Sequence, residues 1–201
     1  FKLDTLQEVI YKRTNSFSKN LLREYYKLSG VRERSYISDI VVRDIILRND
    51  GGYILVMEKV EIISRQPYTD PRMRYRYGLE STHYLYGELI LISIHENGDE
   101  FWNRIIKKNQ VSSSDRGMYS SYGILKTPKG IGLIFNDEIK DETQIILHRI
   151  DPLGNIFRSA LFNTELYDLR LMPRESLQIS ASQLIIPSLS KDKLQLLMLE
   201  F

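Results

Sequence analysis

The chain has 201 residues, enough to bury a sizeable core in one domain. Its 28 Lys and Arg against 26 Asp and Glu leave a net charge of +2, too balanced to signal a nucleic-acid partner. It has no Cys, which excludes disulfides, thiolate zinc sites and thiol nucleophiles.

Residues 1–15 read as a leading hairpin, a half-unit in which the run from Phe1 to Tyr11 echoes the later hairpins. Residues 16–29 switch period. Phe17, Leu21, Leu22, Tyr25 and Leu28 recur at spacings of three and four, which predicts a short amphipathic helix. Ser16 is placed to cap its start and Gly30 to end it, and the helix is expected to cover the side or rim of the sheets. Residues 31–38 are polar and loop-like. Ile40–Leu47 predicts a strand, interrupted by Arg43 and Asp44.

Asn49-Asp50-Gly51-Gly52 then predicts a two-residue hairpin turn, with glycines supplying positive φ. The strand Tyr53–Ile63 follows. Residues 64–86 read as a long loop, because Pro67 and Pro71 oppose regular pairing. Residues 88–106 form a second hairpin around Asn97-Gly98. Side-chain alternation is expected to turn Phe101 into the core and Trp102 outward. Residues 107–122 are another connection, rich in Ser and Tyr. Strands are predicted over 121–127, 131–136, 144–150 and 155–162. An incomplete unit spans 166–201, with Pro173 and Pro187 marking edges or bulges.

Two stretches align. Leu55, Val56, Met57 and Glu58 fall over Leu133, Ile134, Phe135 and Asn136, so each apolar strand turns polar at the same place. The Asn97-Gly98 hairpin is echoed by Asp151-Pro152-Leu153-Gly154. Repeated units of four antiparallel strands describe an all-β chain of β-propeller-like blades: unit 40–106, unit 121–162 and the incomplete unit 166–201, in a single domain over 1–201. The chain opens inside a unit. It is therefore expected either to be part of a larger propeller or to use its N-terminal strand to complete the last unit.

The stretches Asp50 to Leu55, Asn97-Gly98 with Phe101-Trp102, Lys107 to Gln110, Tyr119 to Gly123 and Leu133 to Asp137 carry a resemblance. The chain resembles uncharacterised secreted or envelope proteins of Bacteroidota with propeller-like repeats, over residues 40 to 160. The resemblance implies a periplasmic or extracellular location at the outer membrane. It also implies a soluble subunit of an envelope assembly, with no catalytic residues to carry over.

In a four-stranded meander the connections alternate between the two strand ends. The short turns share one end, so the helix and the two long connections share the other, which is the candidate functional end. The long loop places Arg65, Arg72, Arg74 and Arg76 among Tyr68, Tyr75 and Tyr77, and the second connection adds Arg116, Tyr119 and Tyr122. Arg and Tyr together suit a protein-binding or anionic-ligand surface. Glu58 and Asn136 either line a central channel or tie neighbouring units together, since buried polar groups must be paired. His83, His95 and His148 are scattered, and no metal or cofactor motif is present. The expected function is a non-catalytic interaction module. The alternative is a carbohydrate- or peptide-binding propeller, or part of a hydrolase with its catalytic residues outside this chain.

Overall fold

The computed structural model describes residues 2–3, 9–11, 14–65, 68–69, 76–77, 81–113, 115–139, 142–190 and 193–201. The elements in order are β1 (Lys2–Leu3), β2 (Val9–Tyr11), α1 (Lys19–Ser29), β3 (Ile40–Leu47), β4 (Tyr53–Arg65), β5 (Tyr68–Thr69), β6 (Arg76–Tyr77) and β7 (Ser81–Ile94). They continue with β8 (Glu100–Ile106), β9 (Gln110–Ser113), β10 (Gly123–Thr127), β11 (Gly130–Ile139), β12 (Glu142–Ile150), β13 (Ile156–Asn163), β14 (Leu177–Gln178), β15 (Gln183–Ser190) and β16 (Lys193–Glu200). The chain is mostly strand, with α1 its single α-helix among the described residues, and every strand pairing is antiparallel.

Three sheets form the body. The first runs β3-β4-β7-β8, with β9 also on β7; the second runs β10-β11-β12-β13; the third runs β14-β15-β16. They lie face to face in chain order and do not close into a ring. Val56, Leu89, Leu91 and Trp102 of the first sheet meet Leu133, Phe135 and Ile146 of the second. The opposite face of the second sheet, with Ile134, Ile145 and Leu147, meets Leu184 and Ile186 of the third. Alternation along β11 and β12 supplies both faces, so these strands are apolar throughout.

α1 covers the far side of the first sheet, burying Leu21, Tyr25 and Tyr26 on Met57, Ile90, Ile92 and Ile105. Ser18, rather than Ser16, is its N-cap: its hydroxyl accepts from the Leu21 N–H at 3.2 Å. Gly30 ends it in the left-handed region, as its sequence position predicts.

Three turns share one geometry. Arg48 with Gly52, His95 with Asp99 and Asp151 with Asn155 close loops whose last residue before closure is Gly51, Gly98 or Gly154, at φ 82°, 84° and 82°. These are three-residue loops in which a type I turn is followed by a left-handed glycine, so the predicted two-residue turn at Asn49–Gly52 is corrected by one residue. Gly52 itself does not have positive φ.

Two further corrections concern the first sheet. β4 runs on to Arg65 and β7 begins at Ser81, so both ends of the expected loop at 64–86 are paired strand, Arg65 opposite Ser81. Trp102 is buried between the first two sheets and Phe101 is 41% exposed, the reverse of the alternation argument. The cause is a bulge. Ser93 pairs with Trp102 and Ile94 with Glu100, leaving Phe101 as the extra residue, which reverses the side-chain parity beyond it. β1 and β2 pair with each other rather than with the third sheet.

Candidate functional site

At the middle of β4, Glu58 is fully buried and turned toward the second sheet. A carboxylate there persists only with charged and hydrogen-bonding partners. Arg43 on β3 donates Nε to Oε2 at 2.9 Å, and the Ser121 hydroxyl donates to the same oxygen at 2.7 Å. Lys108 Nζ sits 2.8 Å from Oε1 as an ion pair, and Lys108 is also completely buried. Burial pushes the Lys108 ammonium below its ordinary range, with Glu58 opposing the shift.

The network continues across the stack. Lys108 donates to the Tyr86 carbonyl at 3.2 Å and to Gln110 Oε1 at 2.9 Å. Gln110 donates to the Asn136 carbonyl at 2.7 Å and accepts the Ser121 N–H at 2.8 Å. Asn136 Nδ2 donates to the carbonyls of Tyr119 at 2.7 Å and Leu171 at 2.9 Å. Glu58 and Asn136, aligned in the sequence, therefore perform one task twice. Each leaves the second strand of its sheet and holds the segment that leads into the next sheet.

Tyr122 is buried and donates its hydroxyl to Asp44 Oδ2 at 2.8 Å, and burial pushes its phenol well above the usual range. Its place in the core between the first two sheets corrects the expectation that it faces a partner. Tyr119 is half-buried; its hydroxyl donates to the Leu189 carbonyl at 3.0 Å and the Arg170 guanidinium lies over its ring. Arg65 and Arg116 are exposed. Arg72, Arg74 and Tyr75 lie outside the described residues. Tyr68, Arg76 and Tyr77 are described through their backbone, where β5 pairs with β6.

Beside the polar network, a cleft of about 600 Å³ opens among β9, the segment at 115–120 and the segment at 164–171. Gln110, Ser112, Tyr119, Asn136, Asp168 and Arg170 are among its walls. Asn136 Oδ1 and Ser112 Oγ are buried without a hydrogen-bond partner. Close by, β7 and β9 set His83 Nδ1 2.8 Å from Ser113 Oγ, a juxtaposition hidden in the sequence because β9 lies inside the predicted connection. The other ring nitrogen faces the Ser81 hydroxyl at 3.4 Å. A hydroxyl thus stands where a nucleophilic triad places the carboxylate that orients its imidazole. His95 packs on Phe101 and His148 stacks on Phe135, each on its own sheet. No three metal-ligating side chains cluster among the described residues.

Comparison with family models, curated proteins and solved structures returns no match. The geometry is therefore the ground on which a function is argued. Arg43, Glu58 and Lys108 are paired with one another in the first sheet, and no described helix is long and apolar enough to cross a membrane. What it offers outward is exposed arginines, a polar cleft and apolar strand faces.

Proposed function

We propose that the chain is a run of β-propeller-type blades acting as a non-catalytic module that binds another protein, as a subunit of a bacterial envelope assembly at the outer membrane. The observation that carries the blade reading is the repeated joint. Successive antiparallel sheets stack face to face in chain order, and Glu58–Ser121 and Asn136–Leu171 tie each to the next at equivalent positions. The envelope location follows from the sequence resemblance. The protein-binding role follows from Arg65 and Arg116 standing exposed at the insertion-bearing end while the buried charges are consumed internally.

The test is affinity purification from native cells with the wild type and with Arg65→Glu combined with Arg116→Glu. The expected result is an envelope protein that co-purifies with the wild type and is lost from the variant, with unchanged melting temperature. Equal recovery by both would count against this surface. A second reading, a small polar ligand, is favoured by the unpartnered Asn136 Oδ1 and Ser112 Oγ at the cleft. It predicts instead that a sugar or peptide mixture shifts the melting temperature and that Ser112→Val abolishes the shift.

A further inference from the structure

The cleft of about 600 Å³ is walled by segments from three parts of the chain, and its hydrogen-bonding groups are only partly used. Gln110 and Ser112 share one face of β9, because strand side chains alternate. Gln110 uses both ends of its amide, on Lys108, the Ser121 N–H and the Asn136 carbonyl. Two residues on, Ser112 Oγ is buried with no partner in the protein. Asn136 is half satisfied. Its Nδ2 is fixed by the carbonyls of Tyr119 and Leu171, both walls of the cleft, and its Oδ1 is buried without a partner. Buried polar atoms in folded proteins are nearly always paired, so two that share one cleft point to a partner from outside the chain.

The backbone beside the cleft is strained. Asp168, which lines it, has φ 50°, and Arg116 and Ser121, on either side of 117–120, have φ 58° and 70°. These are three of the four non-glycine residues at positive φ among the described residues, and such conformations gather at ligand sites. Asp168 and Arg170 are exposed at the cleft. Asp168 Oδ1 accepts the Ser190 hydroxyl at 3.3 Å, which leaves Oδ2 as a further acceptor. The Arg170 guanidinium lies over the Tyr119 ring and forms no ion pair with a described residue.

We propose that this cleft binds a neutral saccharide of one or two rings. The proposal rests on the small-ligand reading above and names the chemical class; it is independent of the protein-binding role. The two buried groups without partners are an amide oxygen and a hydroxyl, so a buried ligand charge would find no counter-charge beside them. A phosphate or carboxylate would meet Asp115, Glu165 and Asp168, with Arg170 the one cation among the described lining residues. A cation would meet Glu165 and Asp168 where they stand in solvent, and would gain little there. Sugar hydroxyls both donate and accept, which is what the groups present require. One donates to Asn136 Oδ1, and another accepts from Ser112 Oγ. Asp168 Oδ2 accepts and the Arg170 guanidinium donates, a pairing that suits neighbouring hydroxyls on one ring. Tyr119 supplies a half-buried aromatic wall. The cleft has the size of a small-molecule site.

The probes are glucose, galactose, mannose and N-acetylglucosamine, each titrated into the full chain and followed by amide NMR. At least one is expected to saturate at millimolar concentration or below, shifting amides of 110–113, 119–120 and 164–171 more than those of β15 and β16. Ser112→Ala removes a hydroxyl with no bond inside the protein. It is expected to keep or raise the melting temperature while weakening the same sugar about tenfold. A purely structural Ser112 would instead lower the melting temperature. Arg170→Gln, at an exposed position, is expected to weaken the same sugar. No binding by any of the four sugars, shifts confined to other strands, or equal binding by Ser112→Ala overturns the saccharide site. Saturable binding of spermidine at these amides in place of the sugars overturns the neutral class. A sugar and peptide mixture that stabilises the wild type but not Ser112→Val, with none of the four sugars binding, leaves the small-ligand reading standing and the saccharide class refuted. With neither the shift nor the binding, both fall. Partner capture with Arg65→Glu and Arg116→Glu is read separately, and its outcome decides the protein-binding role whatever the sugars do.

Discussion

Glu58 and Lys108 form a fully buried ion pair whose loss leaves one charge stranded in the core. Glu58→Gln strands the Lys108 ammonium and is expected to cost roughly 3 kcal/mol or more in urea unfolding. Adding Lys108→Met should recover part of that loss, because it removes the unpaired ammonium. A Glu58→Gln variant as stable as the wild type would mean that the buried pair contributes nothing to the stability of the first sheet. His148 gives a pH signature. Burial, aided by the Arg158 guanidinium, lowers its pKa from 6.5 to about 4. Between those values the unfolded chain binds the proton and the folded chain does not. Stability is therefore full above pH 6.5 and falls as the pH drops toward 4, by of order 3 kcal/mol at most. His148→Phe, which keeps a ring against Phe135, should flatten that limb of a pH–stability curve; an unchanged slope would assign it to other groups.

At the scale of elements, the turn before β4 makes a graded prediction. A Cβ on Gly52 would sit 2.5 Å from the Ile94 carbonyl oxygen, against backbone that is itself paired in the sheet. Gly51 carries the positive φ, and the atoms nearest to a Cβ there belong to the flexible Glu96 side chain. Gly52→Val should therefore lower the melting temperature more than Gly51→Ala, whose cost is about 1 kcal/mol for the left-handed backbone. The reverse order would show that steric room matters less here than φ.

The same stretch shows what was legible in the sequence. Apolar runs and Gly-containing turns announced β3, β4, β11 and β12, because those signals are local. The three-to-four spacing announced α1 for the same reason. The bulge at Phe101 left no mark, and it reversed which of Phe101 and Trp102 is buried. Over Ser81–Tyr86 the sequence of β7 reads as loop, since its pairing partner β9 lies elsewhere in the chain. Glu58 and Asn136 could be singled out from the repeat. Lys108, Gln110 and Ser121 could not, because their roles exist only once two sheets are stacked.

For the whole molecule, the stack leaves its two ends different. One end is closed by α1; the other presents Leu177, Leu194, Leu196 and Met198 to solvent. An exposed apolar sheet face of this extent marks an interaction surface more often than an inert one. The protein-binding role depends on another protein occupying the outer surface at Arg65 and Arg116. Native mass spectrometry of the protein isolated from its own cells tests this most directly. The protein-binding role predicts a complex containing a second, different polypeptide in stoichiometric amount, which dissociates when Arg65 and Arg116 are changed to Glu. The protein recovered without any partner, carrying instead a small molecule released by Ser112→Val, would contradict it and place the function in the cleft.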